Sequence, residues 1–183
     1  GLLSTFMANH YAERLEKIII IDAGLEATYE EVAEKIRPSL ERLKLTIPDK
    51  DAAIAVMENA PYFTNGRWSP EIEAWYRSQM VPDENGGFRR LVYADGIMEA
   101  IDHILADDWS AYFRGVQVPA KLIHAPAPFG EGDAPPILSV AGAEETVDLI
   151  PDCQYQQVSG HHITMIFGEN AQDVVDAIRN FAG

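Results

Sequence analysis

The sequence predicts an α/β protein built on a parallel sheet, and three short segments carry that prediction. Residues 18–21 are four consecutive isoleucines, residues 120–125 are predicted as a second buried strand, and residues 155–158 as a third strand. A continuous β-branched run is typical of a strand that is covered on both faces, as strands of parallel sheets are. Helical segments separate the three strands, and such alternation favours a parallel sheet with right-handed crossovers.

Length and charge limit the classes of function. The chain has 183 residues, enough for one domain with a sizeable core, and 47% of them are apolar. A formal charge of -15 without a basic stripe argues against binding to nucleic acid or to an anionic membrane. Cys153 is the single cysteine, so the chain forms no internal disulfide. Residues 1–11 lack the pattern of a signal peptide, and we expect a cytoplasmic protein.

The first half of the chain is mainly helical. Apolar residues at helical spacing predict a helix from Leu2 to Leu15, ahead of the first strand. A second apolar stripe follows, with Pro38 as a kink or break; its members are Tyr29, Val32, Ile36, Leu40 and Leu43. Further helices are predicted from Pro48 to Met57, from the Ser69-Pro70 cap onward, and over 96–106. We interpret residues 28–110 as a helical lid, and residues 1–27 and 111–183 as the core.

The second half of the chain alternates between strands and helices. A Pro/Gly-rich loop at 126–136 follows the second strand, and a short helix is predicted over 144–149. The last helix is predicted to begin near Asn170 as its cap. Its inward face consists of Val174, Val175, Ile178 and Phe181.

Four segments together resemble one family. They are Gly1-Leu2-Leu3 through Ile21-Asp22, Val118-Pro119 with the strand after it, Gly160-His161-His162-Ile163-Thr164-Met165, and the helix from Asn170 to Phe181. The third segment is similar to the Gly-x-His-x-Thr-Met pattern of esterase-like and thioesterase-like proteins. In order and spacing, the four resemble the C-terminal half of an α/β-hydrolase, including the helix that follows its nucleophile elbow. The resemblance covers nearly the whole chain and is weakest in the lid.

The resemblance implies a Ser-His-Asp triad that hydrolyses an ester or thioester bond. The family carries its nucleophile on Gly-x-Ser-x-Gly, a motif that this sequence lacks. By alignment the motif precedes Gly1, so the serine is expected upstream of this chain. Ser4 lies within the predicted first helix and not on a sharp turn. A small acyl substrate is the implied partner, and no cofactor is expected.

His162 is the predicted general base. In the family pattern one residue separates the glycine from the histidine, which fits Gly160 and His162. The alternative is His161, because many relatives have the histidine directly after the glycine; the Thr164-Met165 pair favours His162. The resemblance implies that the imidazole takes the serine proton and returns it to the leaving group.

Three carboxylates compete for the role of the triad acid. Asp22 ends the first strand, where some relatives carry their acid, and a structural capping role is its alternative. Asp133 and Glu131 lie in the loop after the second strand, near the usual family position, which is occupied by Pro128. The sequence leaves the choice open, with Asp22 ahead of Asp133 and Asp133 ahead of Glu131.

Other functions stay open at this point. Relatives also cleave epoxides, carbon–halogen bonds and C–C bonds, and those activities differ mainly in the nucleophile and the lid. A non-catalytic fragment or binding module that keeps the fold is a further alternative, favoured by the missing motif. The five histidines lack Cys or Glu partners at ligand spacing, so no metal site is expected.

The aromatic residues and the first strand lead to two further expectations. Aromatic residues of the helical region either line a substrate pocket or form the region's own core; they are Tyr62, Phe63, Trp68, Trp75, Trp109 and Phe113. Without an upstream strand, the apolar strand at 18–21 is expected at the edge of the sheet, where it is a template for pairing. We therefore expect the chain to associate with an N-terminal segment or with itself through Ile18–Ile21.

Overall fold

A computed structural model of the chain describes residues 1–26, 40–64 and 66–183. Tyr29, Val32 and Ile36 of the predicted second stripe lie outside these residues. The chain divides into two compact units, one formed by Gly1–Ala27 with Asp108–Gly183 and the other by Thr28–Asp107. The lid role predicted for residues 28–110 stays a prediction.

Helices and strands are numbered in chain order. The strands are β1 (Ile18–Ile21), β2 (Met80–Pro82), β3 (Phe88–Arg90), β4 (Ala120–His124) and β5 (Cys153–Gln157). The helices are α1 (Leu2–His10), α2 (Lys50–Glu58), α3 (Pro70–Ser78), α4 (Ala94–Ala106), α5 (Trp109–Arg114), α6 (Val140–Leu149) and α7 (Asn170–Ala182). Short 3-10 turns lie at Ala12–Arg14, Arg42–Lys44, Pro61–Phe63 and Thr164–Ile166. None of the described helices is long and apolar enough to cross a membrane.

The first unit is built on a parallel sheet with the strand order β1-β4-β5, which confirms the predicted α/β class. β4 is the central strand, and all five of its residues are buried. The register pairs Ile21 with Ile123 and His124 with Gln157. The three strands therefore end at nearly the same level, and the residues that follow them meet at one edge of the sheet.

One apolar cluster packs against the residues at this edge of the sheet. Its buried members are Ile123, Ala125, Val158, Met165, Val174 and Ala177, with Ile19, Ile21 and Ile178 packed against them. The cluster joins the ends of β4 and β5 to α7 and to the turn at Thr164–Ile166. In β1, Ile18 and Ile20 are buried and Ile19 and Ile21 are only partly buried.

Several predicted boundaries need correction. Asn170 is not the cap of the last helix but its first residue, and Glu169 is the residue before the helix. The Asn170 side chain instead donates through Nδ2 to the carbonyl of Thr164 at 3.3 Å. The helix predicted over 144–149 begins earlier, at Val140, because Ser139 caps it by accepting from the amide of Gly142 at 3.0 Å. The third strand of the sheet begins at Cys153, two residues before the predicted start.

The second unit has its own apolar core. A turn at residues 83–87 joins the antiparallel strands β2 and β3. Ser69 caps α3 by accepting from Ile72 N, with Pro70 at the first helical position as predicted. A cluster of Ile47, Ile54 and Met80 packs against Trp68, Tyr76 and Phe88. These contacts favour the interpretation of Trp68 as core, and Phe63, which packs edge-on against it with ring centroids 4.9 Å apart, is also buried.

Ile123 provides a test of the first unit's core. Its side chain is fully buried in the centre of the sheet, so Ile123→Ala removes apolar contacts and leaves a cavity. We expect a loss of about 3 kcal/mol in the free energy of unfolding, measured by urea titration. Val140→Ala, at a side chain that is 43% exposed, is the control and is expected to change it by less than about 0.5 kcal/mol. Equal losses would contradict this description of the core.

Candidate active site

Side chains from three segments of the first unit meet at the carboxyl edge of the sheet. Asp22 follows β1, Ala125 follows β4, and Val158 opens the turn that follows β5. In open parallel sheets this edge is where ligands bind, because the loops after the strands surround it. The level register of the strands therefore brings polar residues from distant parts of the sequence together.

Asp22 is fixed at the end of β1 by both its backbone and its side chain. It is 1% exposed and has a φ of 45°, a left-handed conformation that Asp tolerates better than most residues. Its amide donates to the carbonyl of Ile123 at 2.7 Å, and its Oδ1 accepts from the amide of Ala125 at 2.9 Å. The second carboxylate oxygen is thereby directed toward the turn after β5.

The second oxygen of Asp22 binds His162. Nδ1 of His162 lies 2.9 Å from Asp22 Oδ2, although the two residues are 140 positions apart in sequence. A carboxylate oxygen accepts, so Nδ1 carries the proton, and in the neutral ring Nε2 keeps a free lone pair. The His162 side chain is 42% exposed while that of Asp22 is fully buried. Asp22 thus holds the ring through Nδ1 and leaves the basic nitrogen Nε2 available for a reaction partner.

The turn that carries His162 depends on Gly160. The φ of Gly160 is 90°, and a Cβ there would lie 2.9 Å from both Thr164 Oγ1 and Asn170 Nδ2. Thr164 Oγ1 accepts from the amide of His161 at 3.0 Å, which closes the turn. The glycine and the threonine of the sequence motif thus both serve the conformation of the turn.

His161 has a different environment from His162. It is fully buried, and its Nδ1 accepts from the amide of Ile163 at 3.1 Å and more weakly from that of Thr164 at 3.4 Å. The ring therefore braces the start of the 3-10 turn at Thr164–Ile166. Its Nδ1 lone pair is already used by the backbone, whereas His162 faces outward.

Phe129, to which the sequence analysis assigned no role, packs against both histidines. Its ring lies edge-on to His161 and His162, with centroids 5.4 and 6.3 Å away. Its loop is held to the histidine turn, since the amide of Ala127 donates to the carbonyl of Gly160 at 3.3 Å. Phe129 lies in the predicted Pro/Gly-rich loop, but no local pattern distinguished it from a loop residue exposed to solvent.

The loop after β4 does not bring Asp133 or Glu131 to the imidazole. Both residues are exposed, and among the described residues Asp133 makes no hydrogen bond or ion pair. Of the three candidate acids, Asp22 is the one bonded to His162.

His124 anchors the end of the same loop. It is fully buried, and its Nε2 donates to the carbonyl of Leu138 at 2.9 Å while its Nδ1 lies 2.8 Å from the hydroxyl of Tyr155. Both ring nitrogens of His124 therefore have partners within the fold.

The described residues place no nucleophile against His162. Within them, the single hydrogen bond of its ring is the one to Asp22. Ser4 lies inside α1, as predicted. Cys153 lies at the opposite, amino end of β5, and burial raises the pKa of its thiol to about 11, which keeps it protonated at neutral pH. No group of three or more His, Cys, Asp or Glu in the described ranges is arranged to hold a metal ion.

Solved structures resemble this chain closely in fold. An E-2-(acetamidomethylene)succinate hydrolase superposes with a TM-score of 0.74 at 20% identity, covering 98% of this chain and 62% of its own. The enol-lactonase from Burkholderia xenovorans LB400 gives a TM-score of 0.64 at 18% identity, covering 99% of this chain and 61% of its own. The thioesterase domain from the curacin biosynthetic pathway gives a TM-score of 0.60 at 16% identity, covering 97% of this chain and 61% of its own.

The chain has the α/β-hydrolase fold. At these identities the similarity establishes the fold alone. The chain spans 61–62% of the length of these three structures. No protein-family model matches the sequence, and no curated protein matches it.

Gly160 gives a test of the histidine turn. Gly160→Ala introduces a Cβ into three contacts of 2.9–3.0 Å in addition to the strain of a positive φ. We expect a loss of about 3 kcal/mol in the free energy of unfolding, mostly from these contacts. Gly168→Ala is the matched control: it has a φ of 56° and no atom within 4 Å of the added Cβ, so only about 1 kcal/mol is expected. Equal effects in urea titrations would contradict the tight packing around Gly160.

Proposed function

We propose that this chain belongs to a serine hydrolase that cleaves an ester or thioester-type acyl bond. In this proposal His162 is the general base, Asp22 is the acid of the triad, and the serine lies upstream of Gly1. The observation that carries the proposal is the 2.9 Å hydrogen bond from the half-exposed imidazole to the buried carboxylate, at the carboxyl edge of the sheet.

Each group has a defined task in the proposed reaction. Nε2 of His162 takes the proton of the serine hydroxyl as its oxygen attacks the acyl carbon, and then gives that proton to the leaving group. Asp22 keeps the proton on Nδ1 and stabilises the imidazolium that forms during the attack. Because Asp22 is also held by the amide of Ala125, the imidazole keeps its orientation without rearrangement.

The start of α1 supports an upstream position for the serine. A Cβ on Gly1 would collide with Ala23 and lie 3.2 Å from the side chain of Ile20, so the helix begins beside the end of β1. Ala23 directly follows Asp22 in the sequence. A residue just before Gly1 would therefore lie close to Asp22, and this supports the proposed upstream position of the serine.

The lid is part of the proposal. Residues 28–110 separate β1 from β4 in the sequence, although these strands pair directly in one sheet. A long, separately packed insertion between neighbouring strands is consistent with a helical lid, and the unit formed by Thr28–Asp107 has its own apolar cluster.

A binding module without catalytic activity is the second candidate. The absence of a nucleophile beside His162 in the described residues favours it. A fluorophosphonate probe separates the two candidates: covalent labelling of the complete polypeptide supports the hydrolase, and labelling of residues 1–183 alone contradicts an upstream serine. If neither is labelled, the serine hydrolase is excluded.

An aspartate at the nucleophile elbow upstream of Gly1 would instead favour an epoxide or haloalkane hydrolase.

Histidine substitutions test the assignment of the base. In the complete polypeptide, His162→Ala removes the proton acceptor, and we expect kcat for an activated ester to fall by about a thousandfold or more. His103→Ala, at an exposed position of α4, is the control and is expected to leave kcat within about twofold. If His161→Ala abolishes turnover in a folded protein while His162→Ala does not, the base is His161 and this assignment is wrong.

The edge of the sheet gives a prediction about partners. β1 pairs with β4 on one side, and no other described strand pairs with it. An apolar edge strand is a template for strand addition. We expect residues 1–183 alone to self-associate through Ile18–Ile21 or to require an N-terminal segment, measured by size-exclusion chromatography with light scattering. The chain with its upstream segment is the control, and a monodisperse, folded monomer of residues 1–183 would contradict the expectation.

A further inference from the structure

Leu25 and Glu26, three and four residues after Asp22, are hydrogen-bonded to α6 and to its cap Ser139. The amide of Leu25 donates to Thr146 Oγ1 at 2.7 Å. The same hydroxyl donates to the carbonyl of Gly142 at 2.7 Å, so its single proton and one lone pair are both used. Thr146 is fully buried, and water does not compete for these bonds.

A second bond lies one residue farther along the chain. The carboxylate of Glu26 accepts from the amide of Ser139 at 2.6 Å, just before the first turn of α6. Ser139 in turn caps α6 through its own hydroxyl. A carboxylate at this end of a helix is favoured by the partial positive charge of the unpaired amides. Leu25 and Glu26 are therefore held to the same helix by two separate bonds.

Two glycines allow this close contact. A Cβ on Gly24 would collide with Thr146 Oγ1, and a Cβ on Gly142 would collide with the carbonyl oxygen of Leu25. Neither glycine has a positive φ, so close approach and not backbone strain accounts for the absence of a side chain. Residues 23–26 and α6 can therefore approach closely because each contributes a glycine at the contact.

We infer that Thr146 and Glu26 are positioning residues that hold Asp22 in the geometry needed to orient His162. A non-glycine residue with positive φ persists where surrounding contacts overdetermine it. On one side Asp22 is held by Ile123 and Ala125, and on the other side the clamp formed by Thr146 and Glu26 fixes the chain three and four residues later. This inference rests on the proposed function, since it concerns the same carboxylate and imidazole.

Threonine substitutions in the complete polypeptide test the clamp. Thr146→Val keeps the shape of the side chain and removes the acceptor of Leu25 N, whereas Thr146→Ser keeps the hydroxyl. We expect kcat of Thr146→Val to fall about 10- to 100-fold with KM within about twofold, because a small misplacement of a catalytic group costs turnover more than binding. Thr146→Ser is expected to restore kcat to within about threefold of the wild type. The additional substitution Glu26→Ala removes the acceptor of Ser139 N and is expected to lower kcat of Thr146→Val further.

A spectroscopic signature accompanies the kinetics. In nitrogen-15 NMR spectra, the Nδ1–H signal of His162 is expected to be observable in the wild type, since Asp22 protects that proton. It is expected to weaken in Thr146→Val and to return in Thr146→Ser. Thr64→Val is the matched control, because the exposed Thr64 hydroxyl bonds to the carbonyl of Pro61 in the other unit at 3.0 Å. That variant is expected to leave both the signal and kcat unchanged.

The outcomes distinguish the clamp from the proposed function. An unchanged kcat and an unchanged Nδ1–H signal in folded Thr146→Val would overturn the clamp, and so would equal losses in Thr146→Val and Thr146→Ser. Full turnover in His162→Ala would contradict the proposed function instead. If His162→Ala keeps full turnover, the clamp is tested by the Nδ1–H signal alone. A weakened signal in Thr146→Val supports the clamp, and an unchanged signal overturns it.

Discussion

The arrangement at the edge of the sheet depends on one buried carboxylate. Burying a charge is costly unless its oxygens are hydrogen-bonded. Asp22 meets this condition by accepting from the amide of Ala125 with one oxygen and from the imidazole of His162 with the other. Because its partners follow β4 and β5, a single side chain connects the ends of all three strands, and the fold and the candidate site are stabilised by the same bonds.

The parallel sheet makes this connection possible. Level strand ends bring Asp22 and the histidine turn together across 140 residues of sequence. The turn itself is local: Gly160 allows its positive φ, and the Thr164 hydroxyl closes it on the amide of His161. Two adjacent histidines thereby acquire different tasks, since His161 braces the backbone while His162 carries the exposed nitrogen.

The sequence predicted the parts of this structure that depend on local pattern. Four isoleucines and the two further strands predicted at 120–125 and 155–158 were sufficient for the parallel sheet, and the residues around Gly160 indicated a histidine turn. The choice among Asp22, Asp133 and Glu131 stayed open, because the path of a Pro/Gly-rich loop is determined by distant contacts such as that of Ala127 with Gly160. The cap predicted at Asn170 was wrong, since its side chain binds the carbonyl of Thr164 instead. Nothing in the local sequence indicated that Thr146 and Glu26 bind the chain after Asp22.

The most direct test compares two carboxylates in the complete polypeptide. Asp22→Asn replaces an acceptor with an amide whose donor faces His162 and favours the wrong imidazole tautomer, so kcat for an activated ester is expected to fall by about a thousandfold or more. Asp133→Asn alters an exposed loop residue and is expected to leave kcat within about twofold. Full turnover in Asp22→Asn together with a collapse in Asp133→Asn would contradict the pairing of Asp22 with His162 as the catalytic acid and base.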